Sequence, residues 1–193
     1  MIYIVRHGQT NWNIEQKIQG QTDIPLNEFG IKQAENQASK IKDLKIDKIY
    51  CSDLKRTKQT AEILNTNFNV PIEFDKDLRE VGFGTIEGRT KTEISKEFMY
   101  EFRQNPEKFG AETKEHLFNR VKTVLNRYSN SDENILLVTH GGIIHMMQYY
   151  IDYPDSYDVK IFLDKYKTLP VDNLDVFKFE NDKITLFSKN DLL

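Results

Sequence analysis

Twice in this chain an unbroken apolar run ends directly in a histidine followed by glycine. Ile2 to Val5 runs into Arg6-His7-Gly8, and Ile135 to Thr139 runs into His140-Gly141-Gly142. Short Ile/Val/Leu runs without polar alternation are the pattern of strands buried on both faces. Such strands belong to parallel sheets covered by helices on each side. Parallel neighbours need crossover helices, and the rest of the chain offers them. Asn27 can cap a helix carrying Phe29, Ala34, Ala38, Ile41 and Leu44 on roughly one face. A strand at 47–51 precedes a helix from Leu54 to about Thr66, and 70–74 reads as a weaker strand. Charged and aromatic residues suggest a helix around 94–102; Leu117, Val121, Val124, Leu125 and Tyr128 mark the next, and 143–151 another. Segments 174–179 and 183–187, joined across Asn181-Asp182, form a closing hairpin. The stretches from Gly8 to about Asn27 and from Gly82 onward read as loops. The predicted class is α/β: three layers, α/β/α, with a mostly parallel central sheet.

A length of 193 residues suits one domain, 1–193, with 38% apolar and 30% charged residues as in ordinary globular chains. The net charge of −3 gives no overall attraction to nucleic acid or an anionic membrane, so any phosphate site must rest on a local basic cluster. The single cysteine, Cys51, permits no internal disulfide or thiolate cluster. The start MIYIVRHGQT has no basic, long-apolar leader pattern, and no apolar run reaches 18 residues, so a cytoplasmic protein is expected.

In open α/β sheets ligands bind at the carboxyl ends of strands, which is where both histidines fall. A lone strand-end histidine is usually a hydrogen-bonded structural residue. Two in one pattern, one of them fused to an arginine, point to chemistry. Glycines permit close backbone approach, and a helix opening after Gly142 would aim N–H groups at an anion. Ser52 to Thr57 again follows a strand and opens a helix, and the planar fork of Arg56 suits a phosphate. Leu78-Arg79-Glu80 before Gly82, Gly84 and Gly88 is the weakest signal, since an acidic residue before such a turn is commonly solvated.

RHGQTNWN at 6–13, SDLKRTKQTA at 52–61, LREVGFGTIEG at 78–88 and VTHGG at 138–142 resemble the histidine phosphatase superfamily, which includes the cofactor-dependent phosphoglycerate mutases. The motifs run in order over residues 1 to about 145, and the last 45 residues match poorly. The resemblance implies a phosphoglycerate mutase-like fold and a histidine acid-type phosphatase, a phosphoric monoester hydrolase with no cofactor and no metal. It makes His7 the nucleophile, with Arg6, Arg56 and His140 around the phosphate and Glu80 as proton donor to the leaving alcohol. Asn13, Gln19, Gly20 and Gly141 fall where the family adds phosphate contacts. The expected partner is a small-molecule phosphate ester, and the oligomeric state stays open, a homodimer included. Segments 89–112 and 150–172 are expected to cover the site. Within them Arg89, Lys91 and Arg103 could receive a second anionic group, and Phe98, Tyr100, Phe102, Tyr149, Tyr150, Tyr153 and Tyr157 could form a ring-stacking wall or ordinary packing. Asp175 stands where the family often has a small polar residue.

Three other readings compete. Mutases of this family resemble a longer chain with an insertion after the acidic motif, whereas Glu80 here meets a short turn that leaves water access. A cysteine phosphatase needs a longer, glycine-rich loop than the four residues between Cys51 and Arg56, and Cys51 reads as the buried end of its strand. His140 and His145 are five apart, not the three or four that would put two metal ligands on one helix face, and His116 reads as a surface residue. A non-catalytic phospho-ligand binder would lack the nucleophile that this chain retains.

Overall fold

The computed structural model describes residues 1–192. Six strands form one sheet in the order β3-β2-β4-β1-β5-β6: β1 (Ile2–Arg6), β2 (Lys48–Cys51), β3 (Ile72–Phe74), β4 (Ile135–Thr139), β5 (Val176–Glu180) and β6 (Lys183–Ser188). The β1–β4, β2–β4 and β2–β3 ladders are parallel, while β1–β5 and β5–β6 are antiparallel. The mostly parallel α/β/α class is therefore what the chain adopts. The final hairpin turns through Asn181 and Asp182, both at positive φ (50° and 54°), as a two-residue turn matched to strand twist requires.

All five residues of β4 are buried, and its side chains alternate between two cores, as period-2 geometry dictates. Ile135 and Leu137 face a core built with α5 (Lys114–Ser129) and α6 (Gly141–Asp152). Leu136 and Val138 face the other, with α2 (Glu28–Ile41) and α3 (Lys55–Asn65). Each fully buried Leu or Ile contributes about 1.5–3 kcal/mol, so the central strand is firmly fixed and His140, its next residue, inherits that rigidity.

Asn27 caps α2 as expected, its Oδ1 accepting from Gly30 N at 2.7 Å. The buried face of α2 also holds Gln33 and Gln37, which the apolar spacing passes over. Gln33 is satisfied at both ends by Gln9 N and Leu192 O, while Gln37 donates to Ser188 Oγ and leaves its Oε1 without a partner. The stretch expected to be all loop after Gly8 contains a one-turn helix, α1 (Asn11–Ile14), closed by a Thr10–Asn13 capping box. Helix α6 starts at Gly141, two residues before its apolar face begins. The 89–112 segment holds α4 (Lys96–Gln104), and Ile86, Ile94, Phe102 and Ala111 form a small core of their own. The 150–172 segment carries α7 (Val159–Ile161) and a π turn, Phe162–Tyr166. Among the described residues no helix is long and apolar enough to cross a membrane.

Candidate active site

The ends of β1, β4 and β2 bring His7, His140 and Arg56 together. The two imidazoles lie 5.1 Å apart between ring centroids, at 60°, and both are buried. The first tautomer is fixed by geometry. His7 Nδ1 stands 2.7 Å from Gly8 O, and a carbonyl can only accept, so Nδ1 carries the proton and Nε2 keeps its lone pair. Burial above all, then the charges of Arg56 and Arg6, hold the His7 pKa well below the ordinary 6.5. His140 is lowered in the same way, first by burial, then by Arg56, His7 and Arg6. Its Nε2 meets Ser52 Oγ at 2.9 Å, and its Nδ1 is buried without a partner.

Both arginines are anchored at one end and open at the other. Arg56 is fully buried, donating to Thr22 O at 2.9 Å and Gly20 O at 2.7 Å, while its Nε has no partner. Burial brings its pKa down to about 10, with Glu80, Asp23 and Glu87 pulling the other way. Arg6 donates to Val171 O at 2.7 Å, and its Nε is likewise buried and unpartnered. A Cβ on Gly141 would sit 3.5 Å from that Nε. Gln19 Oε1 is a further unpartnered buried atom, and turning that amide over would present a donor there. Native interiors leave few such atoms unsatisfied. Here Arg6 Nε and Arg56 Nε belong to the two arginines whose charges bear on His7, and His140 Nδ1 to the imidazole 5.1 Å from it.

Glu80 joins them from the loop after Leu78. Its oxygens accept from Val81 N at 2.9 Å and Gly142 N at 3.2 Å, the latter in the first turn of α6. A Cβ on Gly142 would lie 2.3 Å from Glu80 Oε1 and 2.9 Å from Val81 Cγ2, so a larger residue there would push the Glu80 carboxylate from its place. The loop is clamped by Arg120, which donates to Asp77 O and Arg79 O at 2.7 Å and forks onto Glu112. Glu87, from the same glycine-spaced motif, accepts from Gln21 N, Thr22 N, Thr22 Oγ1 and Phe83 N. It thereby holds the two carbonyls that anchor Arg56. Gly20 must be glycine on two counts, a φ of +51° and a would-be Cβ 2.0 Å from Glu87 Oε1.

Some residues do something other than expected, and others keep to the reading given for them. Asn13 uses its Oδ1 to cap α1, accepting from Thr10 N and Oγ1, and none of its hydrogen bonds reaches the histidine pair. Arg89 lies over the Phe98 ring at 5.7 Å. Tyr149, Tyr153 and Tyr157 pack with Phe118, Phe162 and Tyr166 in the core, and Tyr100 is exposed. The ordinary-packing alternative therefore holds for Tyr149, Tyr153 and Tyr157. Cys51 is the buried strand end, its thiol pushed up to about 12 by burial. His116 is a surface residue paired with Glu112. Asp175 is buried and accepts from Asp172 N and Asn190 N, each at 3.0 Å, which shapes the turn that delivers Val171 O to Arg6. Sequence reasoning missed Asn173, whose Nδ2 donates to His7 O at 2.7 Å, and Thr60, whose Oγ1 accepts from Gly8 N at 3.1 Å. Thr60 lies inside a quoted motif and could have been flagged; Asn173 carries no local signal.

The fold and the site define an α/β protein with a buried histidine pair flanked by two arginines at the carboxyl edge of its sheet. Its sequence belongs to the histidine phosphatase superfamily (branch 1), whose family model matches residues 2–188, well past the motifs that carry the resemblance. The chain is 38% identical over 148 residues to an uncharacterized phosphatase, PhoE, of Bacillus subtilis (strain 168), covering 76% of this chain and 74% of that protein. It is 36% identical over 197 residues to phosphoglycerate mutase-like protein 4 of Arabidopsis thaliana, covering 96% and 82%. Among solved structures, a phosphoserine phosphatase mutant from Entamoeba histolytica in complex with phosphoserine matches with a TM-score of 0.76 at 26% identity, over 99% of this chain and 96% of that one.

Proposed function

We propose that this protein is a metal-independent phosphomonoesterase that acts on a small phosphorylated metabolite through a phosphohistidine on His7. The observation that carries the reading is the set of open polar atoms around one neutral imidazole: His7 Nε2 with its lone pair, and the unpartnered Arg6 Nε, Arg56 Nε and His140 Nδ1. Nε2 attacks phosphorus, a P–N bond forms and the P–O bond to the alcohol breaks. The arginines and His140 receive the equatorial oxygens, since phosphoryl transfer asks a protein mainly for positioning and charge stabilisation. Glu80 gives its proton to the departing oxygen. It then takes one from the water that attacks phosphorus, the P–N bond breaks and free phosphate leaves. The relatives named as phosphatases support the same reading.

The test is phosphate release from a phosphomonoester panel in the presence of chelator, for wild type and His7→Ala. Release by wild type that vanishes in the variant is expected, together with acid-labile, alkali-stable labelling of the wild-type chain. Full activity in His7→Ala would overturn the mechanism. Isomerisation of 3-phosphoglycerate without phosphate release would make the protein a mutase.

A further inference from the structure

His7 and His140 are held by different kinds of partner. His7 Nδ1 faces a carbonyl, Gly8 O, and so must donate. His140 Nε2 faces a hydroxyl, Ser52 Oγ at 2.9 Å, which can give or take a proton. The surroundings of Ser52 decide between the two. The residue is fully buried, and among the described residues His140 Nε2 is the one partner its Oγ has. Were Nε2–H to donate, two buried polar groups would go unmet: the Ser52 O–H without an acceptor, and His140 Nδ1 without a donor. If the hydroxyl donates, one is left, an N–H at Nδ1. Interiors tolerate few unpaired polar atoms, so the hydroxyl donates, Nε2 keeps its lone pair and the ring proton sits on Nδ1. That arrangement requires a neutral ring. Burial first, then the charges of Arg56, His7 and Arg6, keep it neutral. His140 also stands at the N-cap of the 12-residue α6, whose dipole disfavours an imidazolium.

The hydroxyl is held in place from both sides of its backbone. Ser52 N donates to Val138 O at 3.0 Å, on the strand that leads into His140, and Ser52 O accepts from Thr57 Oγ1 at 2.8 Å. Ser52 and His140 thus leave the sheet from the adjacent, parallel strands β2 and β4. Ser52 also lies four residues before Arg56, so one short segment supplies both a buried guanidinium and the group that orients the second histidine.

We infer that Ser52 is a positioning residue that fixes His140 as the Nδ1–H tautomer, so that His140 offers the transferring phosphate a donor while His7 offers a lone pair. Both rings then carry their proton on Nδ1. His7 turns that nitrogen to the backbone and keeps Nε2 for phosphorus. His140 turns Nε2 to Ser52 and keeps Nδ1–H for an equatorial oxygen. With its one lone pair engaged by the hydroxyl, His140 cannot take the phosphoryl group itself, and the pair has a single nucleophile. The inference rests on the proposed transfer to His7.

Long-range proton–nitrogen correlation spectra of the histidine-labelled protein, taken near neutral pH, report which ring nitrogen of each histidine carries the proton. The signals that vanish in His140→Gln identify His140. The wild type should show His140 protonated at Nδ1. Ser52→Ala should move it toward Nε2–H, the form histidine prefers in water, and Ser52→Thr should keep Nδ1–H. In phosphate release Ser52→Ala should lower kcat by about 10- to 100-fold, short of the roughly 10²–10³ for losing a donor outright, with Ser52→Thr within about threefold of wild type. A wild-type His140 protonated at Nε2 would overturn the inference without any substitution having to fold. So would a Ser52→Ala protein whose His140 tautomer or kcat is unchanged. The expected spectra in a protein that releases no phosphate from any ester would refute the phosphatase reading and keep the tautomer assignment.

Discussion

Replacing Arg56 by lysine preserves a positive charge and removes a fork. The guanidinium spans two backbone carbonyls, Thr22 O at 2.9 Å and Gly20 O at 2.7 Å, and still has Nε over for a ligand. A lysine presents its donors from a single nitrogen and cannot hold both carbonyls while also meeting a phosphoryl oxygen. One buried carbonyl left unpaired costs about 1–3 kcal/mol. For a domain of this size each kcal/mol lowers Tm by about 2–4 °C, so a fall of roughly 2–12 °C is expected. Losing a directed donor at the developing charge lowers kcat by about 10²–10³. Calorimetric melting with and without inorganic phosphate and steady-state phosphate release read the two losses separately. Phosphate at a hundredfold excess over its Kd should stabilise the wild type by about 2.7 kcal/mol, and Arg56→Lys clearly less. If Arg56→Lys stays within threefold of wild type in kcat and melts at the same temperature, the argument that the fork matters here is wrong.

His7 and His140 both have pKa values depressed by burial and nearby arginines, so below about pH 6.5 the unfolded chain binds protons that the folded one does not. Stability is complete above that pH and falls as pH drops toward the depressed values, by up to about 1.4 kcal/mol per pH unit for each histidine. Denaturant melts from pH 7 to 5 should give a shallower slope for His140→Asn than for wild type; equal slopes would count against it. Cys51→Ser should keep more than half of the activity, and iodoacetamide should not inhibit the native protein, because the thiol is buried and its pKa stands at about 12. Arg120→Met should lower kcat by about 10²-fold with little change in KM, since loosening the Glu80 loop misplaces the proton donor. A purely structural role for Arg120 would lower Tm and spare kcat.

His7, His140 and Arg56 were legible because each stands where a strand ends, and buried strands announce themselves by an unbroken apolar run. Glu80 was readable only through the motif, since an acidic residue before glycines has no distinctive local physics. The glutamines of α2 were invisible to hydrophobic spacing because they sit on its buried face as polar residues, held by tertiary hydrogen bonds that the spacing does not report. Asn173 and the carbonyl of Val171 were hidden for another reason: the chain must return from more than 160 residues away to place them beside His7 and Arg6. A one-turn helix such as α1 has too few residues for periodicity to register.

The strand that leads into His7 is made before both of its neighbours, for in the finished sheet it lies between residues 135–139 and 176–180. During translation it must wait for both. At about 5–20 residues per second, roughly 7–27 s pass before residues 135–139 are made and the Ile-Tyr-Ile-Val segment has any ladder to join. Pairings so distant in sequence also slow folding once the whole chain is free. A nascent or truncated chain ending before Val171 would leave β1 with one bare edge and Arg6 without its anchoring carbonyl. Such a product would be prone to edge-to-edge aggregation as well as inactive, so expression of this protein should respond to chaperones that shield the β1 segment.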